Sequence, residues 1–280
     1  MIKTLLLATI LSTATTIYAP QAHASGKEVD AEKESAEKWS KIMGLVNNEI
    51  QTIKNNRYSG PELKHRLFEL YSEKIKLIKE KENLNLLKSD PKTVAAKGKE
   101  AFFKSSREQY MTAQKFALGL MADYPKYNRT NEIYYALAIN SRDYGTSHDT
   151  EQFLKLAIKF GNENSKTMFN AKTALAEYYY NSKKYHDAIS YYNDILKSAQ
   201  DEWYGKHLYN ASWCYLKERN FKKALELIKE SYETTKNKKF VSMNEQIISA
   251  IGIFFVQADA TREGITFYEQ NTSPSSSSLL

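Results

Sequence analysis

The stretch Phe169–Glu202, FNAKTALAEYYYNSKKYHDAISYYNDILKSAQDE, decides the fold. It reads as two short helices. The first carries Leu175, Ala176 and Tyr179 on one face, and the second carries Ala188, Tyr192 and Ile195. Residues three and four apart share a helix face, so each set forms one apolar stripe. Tyr185 falls at the turn between the helices. The small side chains of Ala176 and Ala188 let the two backbones approach, while Tyr179, Tyr185 and Tyr192 fill the space around that contact. A pair this short cannot bury its apolar face alone. It needs a similar pair on either side.

Such neighbours are present. Downstream, LYNASWCYLKERNFKKALELIKES repeats the pattern with Ala211, Ser212, Tyr215, Phe221, Ala224 and Ile228. Ala188 to Ala224 and Tyr185 to Phe221 are the same step of 36 residues. Upstream, Leu137, Ala138, Phe153 and Ala157 offer the pattern with an enlarged inner turn and Ser141 at the tyrosine position. Before that come Ala101, Tyr110, Ala113, Phe116, Ala117 and Leu120, closed by Pro125. A degenerate unit follows the others, with Ile251, Gly252, Phe255, Gly264 and Tyr268 at the corresponding places.

These residues and this period resemble the tetratricopeptide (TPR) repeat family, whose period is about 34 residues. The resemblance covers Val94–Tyr268. It implies an all-α protein, a right-handed α-solenoid of TPR-like helix pairs. The expected repeats are about 94–127, 131–165, 169–202, 205–238 and a degenerate 244–270, within a repeat region of 93–270.

Composition agrees with an all-α reading: the chain has 280 residues, with only 10 Gly and 5 Pro. Few helix breakers favour helices. The single Cys, Cys214, has no partner for an internal disulfide and reads as a small apolar residue of a first helix. The formal net charge of +7 reads as lysine-rich helix surface interleaved with acids, which does not suit nucleic acid.

Residues 1–24 have the pattern of a secretion signal: Lys3, the apolar LLLATILSTATTI, and a cleavage site at Ala22-His23-Ala24. No Cys follows the apolar core, so a lipid anchor is not expected, and no later stretch is long and apolar enough to span a bilayer. The mature chain is expected to be exported, in a Gram-negative bacterium to the periplasm, with cleavage after Ala24. Residues 25–92 are expected to form a long helical hairpin. Trp39, Met43, Val46, Ile50 and Ile53 recur at coiled-coil spacing, and Asn55, Asn56, Gly60 and Pro61 mark the turn. The second arm carries Leu63, Leu67, Ile75 and Ile78. Its LKHRLFELYSEK also looks like the first helix of a repeat, which would make the hairpin an overgrown first repeat. Residues 271–280, NTSPSSSSLL, read as a disordered tail. The apolar run Ile253–Val256 leaves two possibilities: the last helix folds over it, or its face awaits a partner. Self-association through that end or through the hairpin is the second possibility.

The chain also shares the general look of exported TPR proteins of the bacterial envelope. ADYPKYNRTNEIYYALA (122–138) resembles a junction of the cell-division-coordinator and outer-membrane-assembly types, and LKHRLFELYSEK resembles TPR proteins of gliding motility. The resemblance implies a non-enzymatic scaffold binding an envelope protein segment, peptide or helix, in a concave groove lined by the first helix of each repeat. By position, the groove residues are Glu132, Tyr135, Ile139 and Arg142; then Asn170, Thr173, Glu177, Tyr180 and Asn181; then Lys206, Tyr209, Trp213 and Lys217. Its aromatic lining would be Tyr135, Tyr180, Tyr209 and Trp213, although the same residues could serve packing between repeats. A carboxylate clamp is not expected, because Tyr135, Ile139 and Ala174 stand where polar donors are needed. The alternative function is salt-sensitive binding of an anionic envelope polymer by the lysine-rich surface.

No catalytic constellation stands out. His65, His148, His186 and His207 lack zinc-site spacing, and no phosphate-cradling or nucleophile-elbow motif occurs. No cofactor or metal is expected.

Overall fold

In the computed structural model, the structure describes residues 26–56, 60–162, 165–198 and 201–271. The expected signal segment, its cleavage site, and positions 272–280 of the expected tail lie outside the described residues. The chain divides into two compact units, 1–48 and 49–280. The described part of the first is helical, within α1 (Gly26–Lys54).

The second unit is built from α2 (Pro61–Lys88), α3 (Pro91–Lys97), a 3₁₀ turn (Lys99–Phe103), α4 (Lys104–Asp123), α5 (Thr130–Tyr144), α6 (Ser147–Lys159), α7 (Lys166–Asn181), α8 (Tyr185–Leu196), α9 (Tyr204–Lys217), α10 (Phe221–Thr235), α11 (Asn244–Gln257) and α12 (Thr261–Asn271). Among the described residues there is no strand. Helices pair as α2/α4, α5/α6, α7/α8, α9/α10 and α11/α12, and the second helix of each pair packs on the first of the next. First helices also touch, α5 on α7 and α7 on α9. This is a TPR-like α-solenoid.

Segment 94–127 does not form a pair of its own. It supplies one long helix, α4, whose partner is α2. The first helix of that pair begins at Pro61 and holds LKHRLFELYSEK, the stretch with repeat-like spacing. Pro61 opens α2 where its missing N–H costs nothing. The buried Glu82 of α2 closes the joint: its carboxylate accepts from the Ser105 and Ser106 N–H groups, at 2.9 and 3.2 Å, and from the Ser106 hydroxyl. These N–H groups lie in the first turn of α4 and have no acceptor within the helix.

In the central pair, Leu175, Ala176, Ala188 and Tyr192 are fully buried, as the apolar stripes predict. The α7/α8, α9/α10 and α11/α12 turns share one geometry. Lys183, Arg219 and Asp259 take left-handed φ values of 59°, 60° and 54°. The next N–H reaches back five residues: Lys184 to Tyr179 O, Asn220 to Tyr215 O, Ala260 to Phe255 O. These are Schellman turns, which satisfy the last carbonyls of the first helix.

The α5/α6 turn is not enlarged. Only Gly145 and Thr146 separate the helices, and Thr146 and Asp149 form a reciprocal cap. Thr150 of α6 faces α5. Twelve residues after Ala138, it occupies the place that Ala188 holds after Ala176. Its buried hydroxyl bonds Ser141 Oγ of α5 at 2.9 Å.

At the other end, α12 folds over α11. Gly264 lies against Phe255, so close that a Cβ would sit 2.9 Å from the ring, and Tyr268 Oη donates to Ile248 O at 2.7 Å. Ile251, Phe254 and Phe255 are buried, while Ile253 and Val256 stay exposed.

Candidate binding groove

The first helices α5, α7 and α9 each contribute one face to a cavity of about 240 Å³. Tyr135, Ile139 and Arg142 come from α5, and Asn170, Thr173 and Glu177 from α7. Lys206 and His207 come from α9, and Asp201 and Trp203 from the loop before it. Helical periodicity explains the α7 set: positions 170, 173, 174 and 177 fall on one stripe facing away from the α8 contact.

Seven residues expected in the groove therefore meet here: Tyr135, Ile139, Arg142, Asn170, Thr173, Glu177 and Lys206. Lys206 Nζ donates to Glu177 Oε1 at 2.7 Å, bridging α9 and α7, and also lies over the Trp203 ring. The Tyr135 phenol is raised by burial, an effect that Arg142 partly offsets.

The others sit elsewhere. Glu132 is held by Arg129, whose Nη2 lies 2.6 Å from its carboxylate, and this lowers the Glu132 pKa. Tyr180 packs edge-on against Tyr185, and burial pushes its phenol up to about 12. Trp213 meets the buried Phe254 of α11 at 4.9 Å between ring centres, with Tyr209 edge-on behind it and Lys217 above its ring. Half-buried, Tyr209 and Trp213 thus pack against the core of the last two pairs.

Four lining residues were not anticipated: Phe169, Asp201, Trp203 and His207. Asp201 and Trp203 lie in an inter-repeat loop, where helix periodicity says nothing. His207 is two positions from the expected Tyr209, on the buried side. It is 2% exposed, and neither ring nitrogen makes a hydrogen bond. Asp201 Oδ1 is 3.4 Å from Nε2, within reach of an ion pair if the ring is protonated. Burial nevertheless holds the His207 pKa below its ordinary value, with Asp201 and Glu177 pulling the other way.

One group of potential metal ligands occurs among the described residues: His65, Glu69 and Glu132, with ligand atoms within 4.8 Å of one another. His65 Nδ1 is engaged by Tyr127 Oη at 3.0 Å, and the Arg129 guanidinium reaches both Glu69 and Glu132. Both carboxylates are thus already ion-paired, Glu132 with Arg129 and Glu69 with Arg129 and Arg66. Cys214 is fully buried, and burial pushes its thiol up to about 12, which leaves it inert.

No protein-family model and no curated protein matches the chain. Among solved structures it is similar to BtubC (BKLC) from P. vanneervenii, with 16% identity over 84% of this chain and 94% of that one, at a TM-score of 0.56. A MamA double mutant (RS-1) follows at 13% identity, 70% and 90% coverage and a TM-score of 0.45. A putative kinesin light chain of TPR-like repeats from Podosopora anserina has 13% identity, 64% and 95% coverage and a TM-score of 0.40. The likeness to BtubC is one of fold. No helix among the described residues is long and apolar enough to cross a membrane.

Proposed function

We propose that this protein is a non-enzymatic adaptor that binds a segment of another protein in the crevice between α5, α7 and α9. The observation that carries the proposal is the convergence of three successive first helices on one polar recess, roofed by the half-exposed Trp203. Asn170 offers both a donor and an acceptor to a peptide backbone, and Trp203 offers aromatic area at low entropy cost. The signal pattern at residues 1–24 supports an exported protein acting in a periplasmic complex. Many surface lysines already face acids, among them Lys64–Asp123, Lys172–Asp194 and Lys229–Glu263. This weakens the case for a polyanion-binding surface.

The test is capture of binding proteins from the envelope of the source cells, washed at high salt, with Ala174→Trp as control. Ala174 lines the crevice, and an indole there fills it. We expect a protein retained by the wild type and lost with Ala174→Trp. Retention by both, with release by salt, would instead support the polymer reading. Tyr209→Ala/Trp213→Ala is a poor control, because it opens the α9/α11 core.

A further inference from the structure

A second cavity, of about 280 Å³, adjoins the first at the α5/α6 turn. Arg142 and Ala174 line both, so the crevice runs on along α7 from Asn170 to Ser182. Twelve residues of helix rise about 18 Å, the length of about five residues of extended chain. Asn170 and Asn181 stand near the two ends on one face of α7, three helical turns apart.

Charge distinguishes the two halves. In the first cavity Lys206 is matched by Glu177, and Asp201 faces His207. In the second, Arg142 is the sole charged lining residue, surrounded by neutral donors such as Tyr178 and Asn181. The structure gives Arg142 no acidic partner among the described residues. It is an exposed guanidinium beside a recess of hydroxyls and an amide. A carboxylate in that recess would gain a charge-assisted bond to Arg142 and further bonds from neutral donors. Because the crevice continues on both sides of Arg142, the carboxylate belongs to a side chain within a segment and not to a chain end.

We propose that the crevice selects an extended peptide segment carrying a central Asp or Glu, which enters the α5/α6-side cavity and pairs with Arg142. This rests on the adaptor reading above and adds the chemistry of the partner. The overall charge of +7 favours the same kind of partner at long range.

The experiment uses pools of acetylated, amidated nonapeptides, randomised except at a central Glu, Gln or Lys. Binding is measured by fluorescence anisotropy to the mature chain, Arg142→Gln, Arg142→Glu and Ala174→Trp. The wild type should bind the Glu pool about tenfold more tightly than the Gln pool, as for a hydrogen bond to a charged group. Arg142→Gln should lose that preference, Arg142→Glu should shift it to Lys, and Ala174→Trp should bind no pool. Arg142 is exposed, so circular dichroism should show each variant at its site folded. Equal binding of Glu and Gln pools by the wild type, with loss in Ala174→Trp, would overturn the Arg142 proposal and leave the adaptor reading standing. Failure of the wild type to bind any pool would overturn both. Binding of polyphosphate instead, lost in Arg142→Glu, would replace the peptide by a polymer.

Discussion

Lys183 and Arg219 hold a backbone conformation that glycine adopts without a Cβ clash. Their left-handed φ values end α7 and α9, and both side chains are exposed. An L-residue pays about 1–2 kcal/mol there, of which glycine's greater freedom when unfolded returns about half. Lys183→Gly and Arg219→Gly should each stabilise the protein by about 0.5 kcal/mol, read as a rise in urea midpoint. Asp259→Gly should gain less, because Asp tolerates this region. A second residue-scale effect concerns protons. His65 and His207 are buried, and burial lowers both pKa values in the folded chain. Arg129 lowers His65 further, while Glu69 and Glu132 oppose the shift. The unfolded chain takes up these protons near pH 6.5, and the folded chain takes them up only at lower pH. The contribution of these two histidines to stability should therefore be level above about pH 7 and fall as pH drops below about 6.5. His207→Phe should reduce that fall in urea titrations at successive pH values. An unchanged slope would show that the folded chain protonates His207 without cost.

At the scale of elements, the joints between helices rest on few atoms. Gly205 in the first turn of α9 faces the last turn of α10, where a Cβ would lie 2.3 Å from Thr235 Cγ2. Ser231 Oγ also donates to the Gly205 carbonyl at 2.7 Å. Gly205→Ala should cost about 1–3 kcal/mol by overpacking. Adding Thr235→Ser removes the offending methyl, keeps the hydroxyl that bonds Asn244, and should recover much of the loss. Thermal melts of the four proteins in this cycle test it. Glu82 is the corresponding contact at the α2/α4 joint. Glu82→Gln keeps the shape but removes the charge and one acceptor from three donors, and should cost about 1–3 kcal/mol. The α4 amides near Ser105 and Ser106 should then exchange faster than those of α7.

In the whole second unit, two apolar cores meet at α9. One runs from Phe68 through the α7/α8 pair to Cys214, and the other from Leu216 to Phe255. Stacked pairs contact only their neighbours, so stability is graded along the array. The α11/α12 pair has a neighbour on one side only among the described residues, and α12 buries little besides Gly264. Native-state hydrogen exchange should find α12 opening first and the amides of α7 to α9 last. Trp213→Ala removes the ring that joins α9 to Phe254, so α11 and α12 should exchange faster while α5 to α7 remain unchanged.

The sequence by itself determined the helix pairs. The Leu175-Ala176 and Ala188 stripes, the 36-residue step and the scarcity of Gly and Pro are local or periodic signals, and burial at those positions agrees with them. Tyr135, Arg142, Asn170, Glu177 and Lys206 fell in the crevice because they lie on helix faces left over once the core stripes are assigned. Only tertiary structure could pair α4 with α2, because their contact spans an intervening helix and turn that no periodicity bridges. It also laid Trp213, with Tyr209 behind it, half-buried against the last core, where Phe254 offers a face. In the α5/α6 pair it set Thr150 opposite Ser141, where the two hydroxyls bond. Asp201, Trp203 and His207 reached the site through a loop and a buried ring. Which atoms such residues meet is set by packing between helices, and one chain's pattern of apolar spacing does not encode it.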